Sequence, residues 1–256
     1  MSVPLIVVSA RMASSRFPGK ALAPLAGRPL LQVLLERMRS TGLPVALATS
    51  THPENDALAA LAESACVSVF RGDEDDVLKR HVECARRFDA RDVVRVTGDN
   101  PLTDTETLLA LVALHGREAA DYSYVPGDAL LMGILCEVVS RDALERSWQK
   151  GEPRHRSELV TLYIKEHADE FRIRTAGLPE GLYRPGYRLT VDEPEDVRLM
   201  QALFGRLGAP GRIVTTREAI ALLDREPALL EINAHLRHKA HNVRSVTLDG
   251  AIAGKP

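Results

Sequence analysis

The sequence predicts an α/β protein whose mostly parallel sheet is covered by helices on both faces. Three observations predict it. Four short apolar runs, Val3–Ser9, Val45–Ala48, Val67–Phe70 and Val93–Thr97, lack the strict alternation of a half-solvated strand. Segments with helical apolar spacing separate them, the order that parallel strands with crossover helices require. A chain of 256 residues, 45% of them hydrophobic, is also long and apolar enough to bury a full core.

Each element has a local reason. Val3–Ser9 is a continuous apolar strand. Pro29–Ser40 puts Leu30, Leu31, Leu34, Leu35 and Met38 on one helical stripe, and Gly42 suits its C-terminal cap. After the strand Val45–Ala48, Thr51 and Glu54 have capping-box spacing for a helix reaching Glu63. Val67–Phe70 leads into a helix over Asp75–Phe88, and Val93–Thr97 into one over Asp104–Arg117. The pattern then changes: Asp121–Val125 and Gly133–Val139 read as strands, and Arg141–Gln149 and Ser157–His167 as helices. Phe171–Thr175 and Arg188–Val191 are expected strands, and Pro194–Leu207, Thr216–Asp224 and Pro227–Lys239 expected helices. From His241 onward the chain reads as a loosely held tail. We expect a main domain over residues 1–210 and a helical extension with that tail over 211–256.

Composition excludes several functions. Net charge is −2 with no basic tract, and only 4% of residues are aromatic. Neither a broad electrostatic footprint nor a stacking platform for nucleic acid is expected. No apolar run approaches the roughly 20 residues that cross a bilayer, so no membrane partner is expected. Cys66, Cys84 and Cys136 lack metal or redox spacing, and Cys66 and Cys84 read as buried small hydrophobes. With no signal-peptide pattern, a reducing cytoplasm is expected. His235, His238 and His241, three apart, rotate round a helix instead of converging on a metal. Trp148 reads as core or interface.

The segment Ser9-Ala10-Arg11-Met12-Ala13-Ser14-Ser15-Arg16-Phe17-Pro18-Gly19-Lys20 carries the most chemistry. Small residues after a strand let backbone N–H groups approach phosphate oxygens. Arg11, Arg16 and Lys20 add a planar fork or a mobile point charge for a polyanion. Walker A and dinucleotide glycine patterns are both absent. In open α/β sheets ligands bind at the carboxyl ends of strands, where this loop, Ala48-Thr49-Ser50, Arg71-Gly72 and Gly98-Asp99 all fall. Asp99 suits the turn before Pro101, and Asp192 suits a helix N-cap ahead of Pro194. Asp76 and Arg80 can pair on one helix face. Two carboxylates are also what Mg²⁺ takes when phosphates and water fill its remaining positions.

The order Arg-x-x-Ser-x-Arg-x-Pro-x-Lys resembles the signature of the sugar cytidylyltransferases, which activate acylneuraminate and 3-deoxy-manno-octulosonate as CMP conjugates. Phe70-Arg71-Gly72 with Asp76-Val77-Leu78-Lys79-Arg80, then Arg95-Val96-Thr97-Gly98-Asp99-Asn100-Pro101-Leu102 and Arg188–Asp196, continue the match to about residue 205. The variant here looks closest to the spore-coat polysaccharide biosynthesis SpsF branch. The resemblance implies a Rossmann-like sheet of the nucleotide-diphospho-sugar transferase type. It also implies CMP transfer from CTP to a small acidic acceptor, with pyrophosphate release and Mg²⁺ on Asp99 and Asp192. Arg16, Lys20 and Asp99 become the expected catalytic residues. Ser9, Ala10, Arg11, Ser14, Thr49, Arg71 and Thr97 join them in binding the nucleotide, and Arg80, Glu137 and Glu158 face the acceptor. A homodimer is implied, with 121–175 as the dimer or acceptor segment.

Two departures bear on the acceptor. Met132 and Leu159 stand where relatives carry Asp and His. They leave open an unusual acceptor or a silent nucleotide-binding homologue, and a nucleotidyltransferase for a non-sugar acceptor or another nucleotide is the nearest alternative.

Overall fold

The computed structural model describes residues 3–14, 16–126, 131–209 and 211–236. The chain begins with β1 (Leu5–Ser9), a β2–β3 hairpin (Pro24–Leu25 and Arg28–Pro29) and α1 (Leu30–Arg39). Next come β4 (Val45–Ser50), α2 (Asp56–Ser64), β5 (Ser68–Gly72), α3 (Val77–Arg87), β6 (Asp92–Thr97) and α4 (Thr105–Arg117). β7 (Tyr122–Tyr124), β8 (Leu131–Met132), β9 (Glu137–Ser140), α5 (Arg141–Lys150) and α6 (Leu162–Glu166) follow. β10 (Ile173–Thr175), β11 (Tyr187–Arg188), α7 (Pro194–Leu207) and α8 (Thr216–Arg225) complete the regular elements.

Seven strands form the main sheet in the order β10-β7-β9-β6-β1-β4-β5. All neighbours are parallel except β9, which runs antiparallel to both β6 and β7. Ser9 lies level with Ala48 on one side and Thr97 on the other, so three carboxyl ends meet at one edge. Side-chain alternation divides β1 between two cores. Ile6 and Val8 pack with α1, α2 and α4, while Leu5 and Val7 pack with α3 and α5. Burial on both faces explains the continuous apolar run. A third core joins α7 and α8 to Leu25, Leu102 and Val191.

Several expectations change. The helix after β4 does not start from a Thr51–Glu54 box. His52 Nδ1 accepts from the Glu54 N–H at 3.4 Å, capping a 3₁₀ turn at Pro53–Asn55, and α2 starts at Asp56. The strand expected over Gly133–Val139 is shortened to its second half, and a separate β8 precedes it. Gly133 has φ +93, and a Cβ there would sit 2.2 Å from the Thr190 nitrogen, so the chain bends sharply against β11. β8 therefore pairs with β11, and only Glu137–Ser140 joins the main sheet. Ser157–His167 shortens to α6 because the Ser157 hydroxyl donates to the Arg154 carbonyl and accepts from Leu159 N–H. In place of one last helix, 3₁₀ turns span Pro227–Ile232 and Ala234–Leu236, and His238, His241 and the tail lie outside the described residues. Cys66 is exposed, at φ +54, whereas Cys84 and Cys136 are buried. Among the described residues no helix is long and apolar enough to cross a membrane.

Candidate active site

A cavity of about 350 Å³ opens at the carboxyl ends of β1 and β6, between the Ala10–Lys20 loop and the start of α3. Ser9, Ala10, Arg11, Ser14, Arg16 and Lys20 line it from the loop side. Thr97 and Asp99 reach it from the end of β6, Arg80 from α3, and Glu158 and Asp192 from later segments. Eleven of the fourteen residues expected at a site therefore share one cavity.

The loop has specific supports. Met12 N–H donates to Asn55 Oδ1 at 2.8 Å, and Gly19, at φ +74, closes a turn by donating to the Met12 carbonyl. Gly98 N–H donates to the Ser9 carbonyl at 2.8 Å. A Cβ at Gly98 would come within 2.6 Å of Ala10 Cβ, so glycine is what lets the turn lie against the loop.

The charges converge. Lys20 Nζ donates to Asp99 Oδ2 at 2.8 Å, to Asp192 Oδ1 at 3.0 Å and to the Val191 carbonyl at 2.8 Å. Arg16 reaches the same Asp192 oxygen at 2.9 Å. The other, Oδ2, accepts from Arg188 at 3.1 Å. Burial pulls Lys20 toward neutrality, but Asp99 and Asp192 outweigh it and hold its pKa above the ordinary value. Burial likewise opposes ionisation of Asp192, and Lys20, Arg16 and Arg188 overcome it, holding that carboxyl below the usual range.

Neither the turn after β6 nor the N-terminus of α7 is closed by these aspartate side chains. Asn100 Nδ2 braces the turn after β6 by donating to Thr97 Oγ1 at 2.7 Å. Glu193, not Asp192, is the N-cap of α7 and forms a capping box with Asp196. Arg80 does not pair with Asp76. It is buried and donates to the Asp73 carbonyl at 2.7 Å and to Ser9 Oγ at 3.3 Å. Asp76 instead caps α3 through Lys79 N–H and accepts from Trp148 Nε1 at 3.0 Å.

Three expected residues are not brought to the cavity. Thr49 is fully buried within β4. Arg71 turns away, donating to the Ser50 and His52 carbonyls and pairing with Asp56 at 2.7 Å. Glu137 accepts from Tyr122, from Arg95 at 2.9 Å and from Thr161 at 3.0 Å, and pairs with Lys165 at 3.1 Å. Met132 lies against Arg188, and Leu159 is exposed.

Two lining residues with polar side chains were not among those expected at the site, His81 and Arg95. Both had a periodicity signal: His81 is one helical turn beyond Val77, and Arg95 is two strand positions before Thr97. His81 Nδ1 lies 2.8 Å from the Val77 carbonyl, which only a protonated nitrogen can face. Burial drives its pKa down to about 3, so the ring is neutral at pH 7.

Among the described residues no group of three or more His, Cys, Asp or Glu side chains is poised for a metal. Asp99 and Asp192 nevertheless fit a divalent ion. Both carboxylates already reach one shared positive charge, and a pair is the number Mg²⁺ takes when phosphate and water complete its shell.

An open, mostly parallel sheet with a cation-rich loop over paired carboxylates at its carboxyl edge defines a nucleotidyltransferase. The cytidylyltransferase family model matches residues 5–226, and the chain belongs to that family. It is 34% identical over 236 residues to the spore coat polysaccharide biosynthesis protein SpsF of Bacillus subtilis (strain 168), covering 87% of this chain and 95% of that one. A cytidylyltransferase structure from Leptospira borgpetersenii superposes with a TM-score of 0.80 at 23% identity, over 90% of this chain and 97% of the other. CMP:2-keto-3-deoxy-manno-octonic acid synthetase, solved with CTP, gives 0.64 at 19% identity, over 80% and 99%. Both structures share the fold.

Proposed function

We propose that this cytidylyltransferase transfers CMP from CTP to an acidic sugar or related acceptor, releasing pyrophosphate in a Mg²⁺-dependent reaction. One observation carries the reading: Asp99 and Asp192, 93 positions apart by number, meet at a single cation inside a basic cavity. Asp99 and Asp192 would hold Mg²⁺, which would supply charge neutralisation and Lewis-acid polarisation to the phosphates. Arg16 and Lys20 donate to the phosphate and to the departing pyrophosphate. Ser9, Ala10, Arg11, Ser14 and Thr97 form the nucleotide wall, and Arg80 and Glu158 border the acceptor. No covalent intermediate is required, because positioning and fixed charge supply most of the rate in such transfers. A cytoplasmic homodimer, with segment 121–175 at its interface, accompanies the proposal.

The test is pyrophosphate release with CTP, Mg²⁺ and a panel of acidic sugars including N-acetylneuraminate and 3-deoxy-manno-octulosonate. A CMP conjugate in the mass spectrum is expected. Equal turnover with UTP or GTP would remove the cytidine assignment, and light scattering decides the dimer.

A further inference from the structure

Asp192 is held from behind by a layered buried network that ends in the C-terminal extension. Arg188 and Asp196 are nearly or wholly inaccessible, and so is Asn233. Arg188 Nη2 donates to Asp192 Oδ2 at 3.1 Å. Its Nε and Nη2 also make a two-point contact with Asp196, each at 2.9 Å. Asp196 Oδ2 in turn accepts the backbone N–H groups of Asp192 and Glu193, both at 3.0 Å. A single amide completes the set: Asn233 Nδ2 donates to Asp196 Oδ1 at 2.9 Å and to the Arg188 carbonyl at 3.1 Å.

The chemistry of this arrangement is asymmetric. Asp192 turns one oxygen toward Lys20 and Arg16 at the cavity and the other toward Arg188. Arg188 keeps its orientation only while Asp196 keeps its own. Asp196 accepts from three directions, and without the amide one of its oxygens would lose a donor in a water-excluded place. Asn233 Oδ1 is buried with no partner among the described residues, so the residue is oriented by its two donor contacts.

We infer that Asn233 is a positioning residue: through Asp196 and Arg188 it sets the orientation of the Asp192 carboxylate, making residues 211–236 part of the active-site machinery. The catalytic importance of Asp192 rests on the proposed function, but the positioning can be tested without it. In the ligand-free full-length protein Lys20 is paired with Asp192 and Asp99, so a loosened Asp192 exposes its amine. Acylation of Lys20 by N-hydroxysuccinimidyl acetate, read by peptide mass spectrometry, should accelerate about fivefold in Asn233→Ala and Asn233→Leu, the equilibrium factor of one net hydrogen bond. Leu229→Ala, which thins the same core without touching the network, should lower the melting temperature and leave Lys20 labelling at the wild-type rate. Unchanged labelling in the Asn233 variants, or an equal rise in Leu229→Ala, overturns the inference. A wild-type protein that releases no pyrophosphate from CTP would instead overturn the proposed function and leave the labelling result to stand by itself.

Discussion

Two carboxylates in this molecule each gather several cations, and they do opposite things with them. Glu137 sits among Arg95, Lys165, Tyr122 and Thr161. Burial opposes its ionisation, but Lys165 and Arg95 outweigh that and hold its pKa far below the usual range. Asp192 sits among Lys20, Arg16 and Arg188 and is also held low. The difference lies in where the partners stand. Those of Glu137 gather around it from β6, β7 and α6, and although Arg95 lines the cavity the Glu137 carboxylate itself does not. Those of Asp192 divide, with Arg188 buried behind and Arg16, 40% exposed, in front at the cavity. A charge cluster offers a site where its carboxylate faces the cavity and part of its shell can be exchanged for a ligand, as at Asp192.

The largest effect that can break this contrast is expected at Asp99. Asp99→Asn should reduce CTP-dependent pyrophosphate release by roughly 10³-fold, on the scale of removing fixed charge stabilisation, with an unchanged circular dichroism spectrum. Near-normal turnover would remove the paired-carboxylate assignment.

Glu137→Gln should act on stability instead. It removes the negative charge that Lys165 and Arg95 share, a loss of roughly 3 kcal/mol in denaturant unfolding. A rise in the Michaelis constant for acceptor with unchanged unfolding would move Glu137 from architecture into the site.

His81 offers a pH test. Its folded pKa is about 3 against an ordinary 6.5, so below 6.5 the unfolded chain binds more protons at this position. The stability that neutral His81 contributes is complete above 6.5 and is lost as pH falls toward 3. The urea midpoint of wild type relative to His81→Gln should therefore decline across that window. A pH-independent difference would show that the ring is not held neutral.

Arg71→Ala should have the smallest effect. Its pair with Asp56 is largely at the surface and worth about 0.5 kcal/mol, and turnover should stay within about twofold of wild type. A large loss of CTP binding measured by calorimetry would return Arg71 to the nucleotide wall.

The residues differ in how much they disclosed beforehand. Elements α1, α3, α4, α7 and α8 were legible because apolar spacing acts within one or two turns, and Asp76, Asp104 and Thr215 cap α3, α4 and α8. The break at Gly133 was not, since its cause is the backbone of Thr190, far along the chain. Asp76 and Arg80 show the same limit. Their spacing permits a pair, yet Arg80 finds Ser9 across the cavity and Asp76 finds Trp148. Glu137 could not be separated from a substrate ligand by sequence, because its saturation depends on β7 and α6 arriving beside it.

Most of the strand and helix order and the cation-rich loop follow from the sequence, through local propensity, periodicity and side-chain chemistry, whereas the two aspartates were singled out by the family resemblance. Only the tertiary structure decided which charges are closed off and which face the cavity. It brought Asn233 behind Asp192, and set His81 and Arg95 into the cavity wall. Electrostatic pairing depends on distance and exposure in three dimensions, and neither is written in the order of residues.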